Sequence, residues 1–347
     1  MPMKRIILFS ILVTAGYTLN KENIRSFQFT YEVEIESTDG EKLEVWLPVP
    51  RSNEVQTISE FEINSNGLKY SIEDEKNHNN KYLYINHKTG TNQPIKITMT
   101  FNVLRKEYQN VYYDSVNPQK YLGSYAEVPI GGIFSKIISE NNLSKHNVRG
   151  IYDHVLEGMH YGKPKSVDSK YYQEPWLNAN EKYGMKQVSR DVVVNLYEKS
   201  EEKGGNYTFG NGNSIYACNI GVGNCTDFHS YFMSLNRTLG NPARFHMGFP
   251  IPNKENGEVD GYHCWADYYI EGEGWYPVDI SEADKDPNKR DFYFGNLSNN
   301  RVEMMVGRDF ELKGHEFEII NFFIYPIIEI NDENSSAYTK NFTFKNQ

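Results

Sequence analysis

A helix that begins at a cysteine constrains the fold of this 347-residue chain more than any other segment. Asn224 is a natural N-cap, and Asp227 stands three residues later, where its side chain is able to complete a capping box. This places Cys225 at the first helical position. Gly240 stands where a C-terminal glycine cap is expected. Between them lies an apolar stripe at helical spacing, made of Phe228, Tyr231, Phe232, Leu235 and Leu239.

The segments after this helix are predicted to be strands, because apolar and aromatic residues dominate them. They cover residues 243–249, 263–270, 275–280 and 322–330. Gly272-Glu273-Gly274 separates the second strand from the third, so we expect these two strands to form a hairpin.

The first part of the chain alternates apolar and polar residues with a period of two from Phe27 to Ile35. The same alternation returns in residues 43–47 and 95–103, so we predict a small antiparallel β-domain over residues 25–108. Since 347 residues exceed the usual size of one hydrophobic core, residues 111–335, which include Cys225, are assigned to a second domain. Its early part contains helical patterns at residues 148–159 and 191–197.

Residues 1–20 are predicted to be a signal peptide. Lys4 and Arg5 precede an apolar run over residues 6–13, and small residues follow at positions 14–16. The run is short for a bilayer span, so we expect export to the periplasm or the medium, without stable membrane insertion after the signal is removed. A buried first strand is the alternative interpretation.

Composition restricts the partners of the chain. The net charge of −10 and the absence of a Lys/Arg run argue against binding to nucleic acid. Three cysteines do not form a disulfide framework and leave an unpaired thiol, although pairing of Cys218 with Cys264 stays open. The oligomeric state also stays open.

The sequence contains the residues that a cysteine nucleophile at position 225 requires, a base and a carboxylate that orients the base. At a helix start, unpaired N–H groups and the helix dipole favour the thiolate. His263 supplies a base and Asp279 a carboxylate that orients the base, and strand spacing makes these two diagonal neighbours on the hairpin. We expect a thiolate–imidazolium pair that attacks a carbonyl carbon and forms a thioester acyl-enzyme.

An oxyanion formed in this attack needs hydrogen-bond donors. The backbone N–H of Cys225 is the first donor that we expect. Tyr216, Tyr161 and Asn213 are the candidates for the second, and the residues alone do not rank them.

Three motifs together resemble the transglutaminase-like superfamily, specifically its bacterial exported members with an N-terminal β-domain. The motifs are Gly223-Asn224-Cys225-Thr226-Asp227-Phe228-His229, then Gly261-Tyr262-His263-Cys264-Trp265-Ala266-Asp267, then Gly274-Trp275-Tyr276-Pro277-Val278-Asp279. The resemblance implies a papain-like α+β core, in which a helix carrying the catalytic cysteine packs on an antiparallel sheet. It also implies that Cys225, His263 and Asp279 are the catalytic residues.

The same resemblance implies a peptide or protein substrate, because this superfamily contains amide cross-linkers, cysteine proteases and amidases. We favour hydrolysis over transglutamination and expect neither a cofactor nor a metal. Inactive relatives exist in this superfamily, so the alternative is a catalytically silent protein- or peptide-binding module with the same fold. A third hypothesis is a zinc-dependent hydrolase with His229, His263 and Cys264 as ligands.

Overall fold

The computed structural model describes residues 23–162, 190–315 and 319–347. The predicted signal peptide lies outside the described residues. Within the described ranges, no helix has the length and apolar character needed to cross a membrane. The described residues form antiparallel sheets, one short parallel strand pair and a group of helices, as the α+β class requires.

Strands and helices are numbered here in chain order. The strands are β1 (Ile24–Ile35), β2 (Leu43–Val49), β3 (Gln56–Asn64), β4 (Tyr70–Asp74), β5 (Lys81–His87), β6 (Ile95–Lys106), β7 (His160–Tyr161), β8 (Val222–Gly223), β9 (Ala243–Pro250), β10 (Asn256–Glu258), β11 (His263–Ile270), β12 (Gly274–Val278), β13 (Arg301–Val306), β14 (Ile327–Ile330), β15 (Glu333–Asn334) and β16 (Tyr338–Asn346). The helices are α1 (Ile133–Glu140), α2 (Val148–Gly158), α3 (Arg190–Lys203), α4 (Ser214–Ile220), α5 (Cys225–Thr238) and α6 (Ile280–Lys285).

Two five-stranded sheets build the β-rich part of the molecule, in the orders β10-β16-β1-β6-β3 and β15-β14-β2-β5-β4. The predicted alternation in β1 is confirmed, because every second residue from Phe27 to Ile35 is fully buried. Each of these residues turns its side chain to the core face of a half-buried strand. The buried faces of both sheets belong to one hydrophobic core.

The end of the chain completes both of these sheets. Strand β16 pairs with β1 over nine residues, from Phe27 opposite Asn346 to Ile35 opposite Tyr338. Strand β14 pairs with β2. The strand expected over residues 322–330 is therefore shorter, since it begins at Ile327, and it extends the sheet that contains β2. The sequence-based division at residues 25–108 and 111–335 stays a prediction.

A third sheet, of order β12-β11-β9-β13, carries the predicted site. Helix α5 packs on β11 and β9, and the helices α1, α2, α4 and α6 surround α5. A cysteine-bearing helix on an antiparallel sheet is the arrangement that the sequence predicted. The helices expected at residues 148–159 and 191–197 are also confirmed, as α2 and α3.

The third sheet also packs against the β-rich part of the molecule. The ring centroids of Phe249 on β9 and Phe342 on β16 are 4.4 Å apart, and Phe29 on β1 lies 5.2 Å from Phe249. The Gln56 side chain accepts a hydrogen bond of 2.8 Å from the backbone N–H of Glu303 on β13. These contacts join the third sheet to the five-stranded sheet that contains β1.

Candidate active site

Local capping fixes the start of α5 at Cys225. The Asn224 side chain accepts a hydrogen bond from the backbone N–H of Thr226 at 2.9 Å, and the Asp227 carboxylate accepts one from the backbone N–H of Asn224 at 3.0 Å. The predicted capping box is therefore confirmed. Gly223 is required before it, because a Cβ atom at that position would lie 2.5 Å from the Cβ of Asp227.

Asp227 also joins the helix start to the preceding loop. Its carboxylate accepts hydrogen bonds from the backbone N–H groups of Gly210 at 2.9 Å and Gly212 at 3.0 Å. Burial raises the pKa of Asp227 to about 7, although three N–H donors favour its charged form. The loop before Cys225 is thus hydrogen-bonded to the same carboxylate that caps the helix beginning at Cys225.

His263 and Asp279 meet as diagonal neighbours, as the strand spacing predicts. Ala266 pairs with Val278, so Asp279 stands two positions short of His263 along the hairpin. The Nε2 of His263 nevertheless lies 2.8 Å from Oδ2 of Asp279. The strand predicted over residues 275–280 corresponds to β12, which ends at Val278 and not at Ile280. Asp279 leaves this strand and becomes the N-cap of α6.

Asp279 is a fully buried carboxylate with several donors. Oδ2 accepts a second hydrogen bond from Nη1 of Arg301 at 3.0 Å, while Oδ1 accepts bonds from the Ser281 hydroxyl and the Glu282 backbone N–H. Burial alone would raise the pKa of Asp279, but the charge and hydrogen bond of His263 and the charge of Arg301 hold that pKa well below its usual range.

The ion pair of His263 and Asp279 also affects Cys225, because the His263 ring interacts with the Cys225 sulfur as well as with Asp279. Burial lowers the pKa of His263, yet Asp279 and the hydrogen bond to Cys225 together raise that pKa to about 9. Burial would likewise raise the pKa of the Cys225 thiol. Hydrogen bonds from Cys264 and His263, and the charge of His263, bring it well below its ordinary value. The arrangement favours a thiolate beside an imidazolium.

His229 is the second histidine beside the nucleophile. Its Nδ1 lies 2.7 Å from the carbonyl oxygen of Cys225, and its Nε2 accepts a hydrogen bond of 3.0 Å from the backbone N–H of Ile280. Burial lowers the pKa of His229 to about 4, so the ring is neutral at physiological pH. Both ring nitrogens of His229 are therefore hydrogen-bonded to backbone groups.

Tyrosines surround the nucleophile. The parallel pairing of β7 with β8 brings Tyr161 beside Gly223, and the pKa values of Tyr161 and Tyr262 are raised by burial and by the neighbouring charge of Cys225. The Tyr325 hydroxyl lies 3.3 Å from the backbone nitrogen of Tyr262. Cys225 itself is only 3% exposed.

The structure separates the three candidates for a second oxyanion donor. Tyr161 lies close to Cys225. The side chain of Asn213 caps α4 and donates a short hydrogen bond to Glu127. Tyr216 is fully buried and packs edge-on against Tyr207. Tyr262, which belongs to the second motif but was not among the donor candidates, also lies close to Cys225.

Arg301 is the important residue that the sequence analysis missed. It lies on β13, outside all three motifs, and its guanidinium packs over the ring of Trp265 with 4.9 Å between the guanidinium carbon and the ring centroid. Nothing in the local pattern distinguishes it from other buried strand residues. Trp265 itself is fully buried.

The remaining cysteines and the proposed zinc ligands are placed as follows. Cys264 is buried on β11 beside Cys225, and Cys218, Cys225 and Cys264 are all free thiols. Among the described residues, His229, His263 and Cys264 do not gather their ligand atoms around one point. A group that does so, made of the buried Glu44 and Glu329 and the exposed Asp332, holds the Lys42 ammonium, which pairs with Glu44 at 2.6 Å and with Asp332.

A groove of about 650 Å³ on the described surface is a separate feature. It lies between the start of α2 and the turn that joins β11 to β12, and its lining includes Lys145, Asn241 and Glu271. None of the three site residues lines it. We therefore place the candidate active site by its chemistry and not by the size of a cavity.

Comparisons with known proteins concern the fold and the family of the chain. The chain is 22% identical to an uncharacterised protein of Haemophilus influenzae, over 97% of this chain and 96% of that protein. Its fold is similar to the crystal structure of a proposed cysteine protease from Cytophaga hutchinsonii, with a TM-score of 0.52 and 12% identity over 93% of this chain and 98% of that one. The family model of the transglutaminase-like superfamily matches residues 178–280. The segment that contains Cys225, His263 and Asp279 therefore belongs to the transglutaminase-like superfamily.

Proposed function

We propose that this protein is a cysteine-dependent enzyme that acts on amide bonds of peptides or proteins through a thioester acyl-enzyme. One observation carries the proposal: the ring of His263 is held by Asp279 at 2.8 Å while its other nitrogen remains for Cys225, in a site where all three residues are buried. A low dielectric strengthens each of these interactions.

The chemistry follows from the charges. The Cys225 thiolate attacks the amide carbonyl carbon. The oxyanion of the tetrahedral intermediate then accepts a hydrogen bond from the backbone N–H of Cys225. The His263 imidazolium then gives its proton to the leaving amine, so that the C–N bond breaks and a thioester remains. His263, now neutral, takes a proton from water, the hydroxide attacks the thioester, and the free acid leaves as the Cys225 thiolate is restored.

We favour water over an amine as the acyl acceptor. The description of the Cytophaga hutchinsonii protein as a proposed protease is in line with hydrolysis. An amine acceptor would use the same thioester, and only the last step would differ.

The test incubates the purified protein with a glutamine-bearing peptide and a labelled primary amine, followed by mass spectrometry. Cleaved peptide or free acid from the unaltered protein, and none from Cys225→Ala, is the expected result. Incorporation of the amine would replace hydrolysis with transglutamination. A protein that forms neither product, whose Cys225 resists iodoacetamide and whose Cys225→Ala variant still binds the peptide, would be the silent binding module.

We also propose that the chain is exported, on the basis of Lys4, Arg5 and the apolar run that follows. Cell fractionation with N-terminal sequencing of the mature protein tests this. A mature protein outside the cytoplasm that lacks about 20 residues is expected. An intact N-terminus in the cytoplasm would contradict it.

A further inference from the structure

His229 joins the two backbone segments that carry the nucleophile and the orienting carboxylate. It stands one helical turn after Cys225 on α5 and is fully buried. On one side its Nδ1 lies 2.7 Å from the Cys225 carbonyl oxygen. On the other side its Nε2 lies 3.0 Å from the backbone nitrogen of Ile280, the residue after Asp279.

These two partners determine the tautomer of the ring. A carbonyl oxygen only accepts a hydrogen bond, so Nδ1 of His229 carries the proton. A backbone N–H only donates, so the lone pair of Nε2 is taken by Ile280. The ring thus has no free lone pair with which to accept the proton of the Cys225 thiol.

The Ile280 bond also satisfies a backbone group at a helix end. Ile280 is the first residue of α6, where the backbone N–H has no partner inside the helix. Asp279 is the N-cap of that helix, so the position of its carboxylate follows the position of α6. His229 therefore links the first turn of α5 to the first turn of α6 through two hydrogen bonds, and we call this link the strut. The His263 ring connects the same two elements through its contacts with Cys225 and Asp279.

We propose that His229 is a positioning residue: it sets the separation between Cys225 and Asp279, so that His263 aligns with both, and its occupied nitrogens leave His263 as the single acceptor of the thiol proton. The inference rests on the proposed function and deepens it. Burial supports it, because a charged His229 would lose the Ile280 bond and repel the imidazolium of His263.

Three variants test the strut. His229→Phe keeps the bulk of the ring and removes both hydrogen bonds. His229→Asn keeps an amide donor near the place of Nδ1, and His229→Gln keeps a carbonyl acceptor near the place of Nε2. His154→Phe is the matched control, because His154 is a half-buried histidine that bonds the Tyr231 hydroxyl of the same helix at 3.0 Å, away from the nucleophile.

The measurement is the rate of iodoacetamide alkylation of Cys225 as a function of pH, mapped by peptide mass because Cys218 and Cys264 are also thiols. It requires no substrate. We expect the unaltered protein and His154→Phe to react with a midpoint far below the value of about 8.5 for an ordinary thiol. In His229→Phe the midpoint should rise toward that value, and turnover should fall about 10- to 100-fold with little change in KM. The Asn and Gln variants should fall between.

The outcomes separate the two proposals. An ordinary midpoint in the unaltered protein would overturn the proposed function and the strut together. A low midpoint in the unaltered protein that persists in His229→Phe, with loss of thermal stability alone, would overturn only the strut and leave a packing role. If the Phe variant does not fold, the Asn and Gln variants decide, since midpoints in both equal to that of the unaltered protein would overturn it.

Discussion

The His263 ring lies 2.8 Å from Asp279 through Nε2, although the two residues are diagonal and not direct partners on their hairpin. Two features close the remaining distance. The strand ends at Val278, and Asp279 leaves the sheet to cap α6, which turns its carboxylate back toward the ring. The carboxylate that orients the base is thus also a structural cap.

Substitution of Asp279 by Asn separates these two roles. Asn is as good an N-cap as Asp, so the start of α6 should persist. The amide no longer balances the charge of His263, and turnover should fall by about 1,000-fold or more. Steady-state kinetics beside circular dichroism check this. A folded variant with near-normal turnover would exclude Asp279 as the orienting group.

The activity of the pair should depend on pH in both directions. It should rise as the Cys225 thiolate forms and fall as the His263 imidazolium loses its proton near its pKa of about 9. Because folding raises the pKa of His263 from its ordinary 6.5, its contribution to stability is complete below pH 6.5 and is lost as pH rises through about 9. The difference in melting temperature between the unaltered protein and His263→Gln should shrink over that interval. A constant difference would contradict the charged pair.

Substitution of Arg301 by Gln should leave Asp279 without its second charged donor. Removal of one partner from a buried ion pair costs about 3–5 kcal/mol, so the free energy of unfolding should drop by that order. Turnover should fall as well, since the carboxylate loses a bond that fixes its position. Arg301→Lys should restore part of both, as chemical denaturation and kinetics would show. Equal losses in the Lys and Gln variants would argue that shape and not charge matters at this position.

Tyr161 and Tyr262 both lie at the nucleophile, and Tyr161 is the expected second oxyanion donor. The oxygen of the Tyr262 hydroxyl already accepts a hydrogen bond from the Asn224 side chain. Tyr161→Phe should therefore lower turnover by about 10- to 100-fold with little effect on KM, and Tyr262→Phe should lower it less. Kinetic constants of the two matched variants decide the assignment, and the reverse order would give the role to Tyr262.

Gly223→Ala should disturb the helix start without touching a reacting group. Its Cβ would lie 2.5 Å from the Cβ of Asp227, so the capping box must open, at a cost of about 1–2 kcal/mol. Gly158→Ala at the end of α2 is the control, because nothing lies within 4 Å of the added carbon. Iodoacetamide labelling of Cys225 should slow in the first variant and not in the second. Unchanged labelling in both would show that the cap does not position the thiol.

Much of the site could be predicted because its determinants are local. The capping residues around Cys225 are within three positions of it, and the hairpin rule places His263 diagonal to Asp279. The α+β class is implied by the resemblance that the three motifs carry. These rules read a few neighbouring residues, which is where sequence patterns carry the most information.

Other parts depended on contacts between distant residues. Arg301 reaches Asp279 only after β13 has joined β9, and no motif records that pairing. Ile280 looked like a strand residue because it is apolar, but the N-cap at Asp279 starts a helix there. Trp265 shares the strand face of His263, yet the β-rich part of the molecule covers that face and buries the ring.

The pairing of β16 with β1 sets the order in which this protein can mature. Strand β1 lies in the middle of its sheet, so until residues 338–346 have been made, one of its edges offers unpaired backbone groups to other chains. Contacts between such distant segments are slow to form. The sheet that contains β1 therefore cannot form fully until β16 has been synthesised. A nascent chain would benefit from a chaperone that shields the unpaired edge of β1 during synthesis.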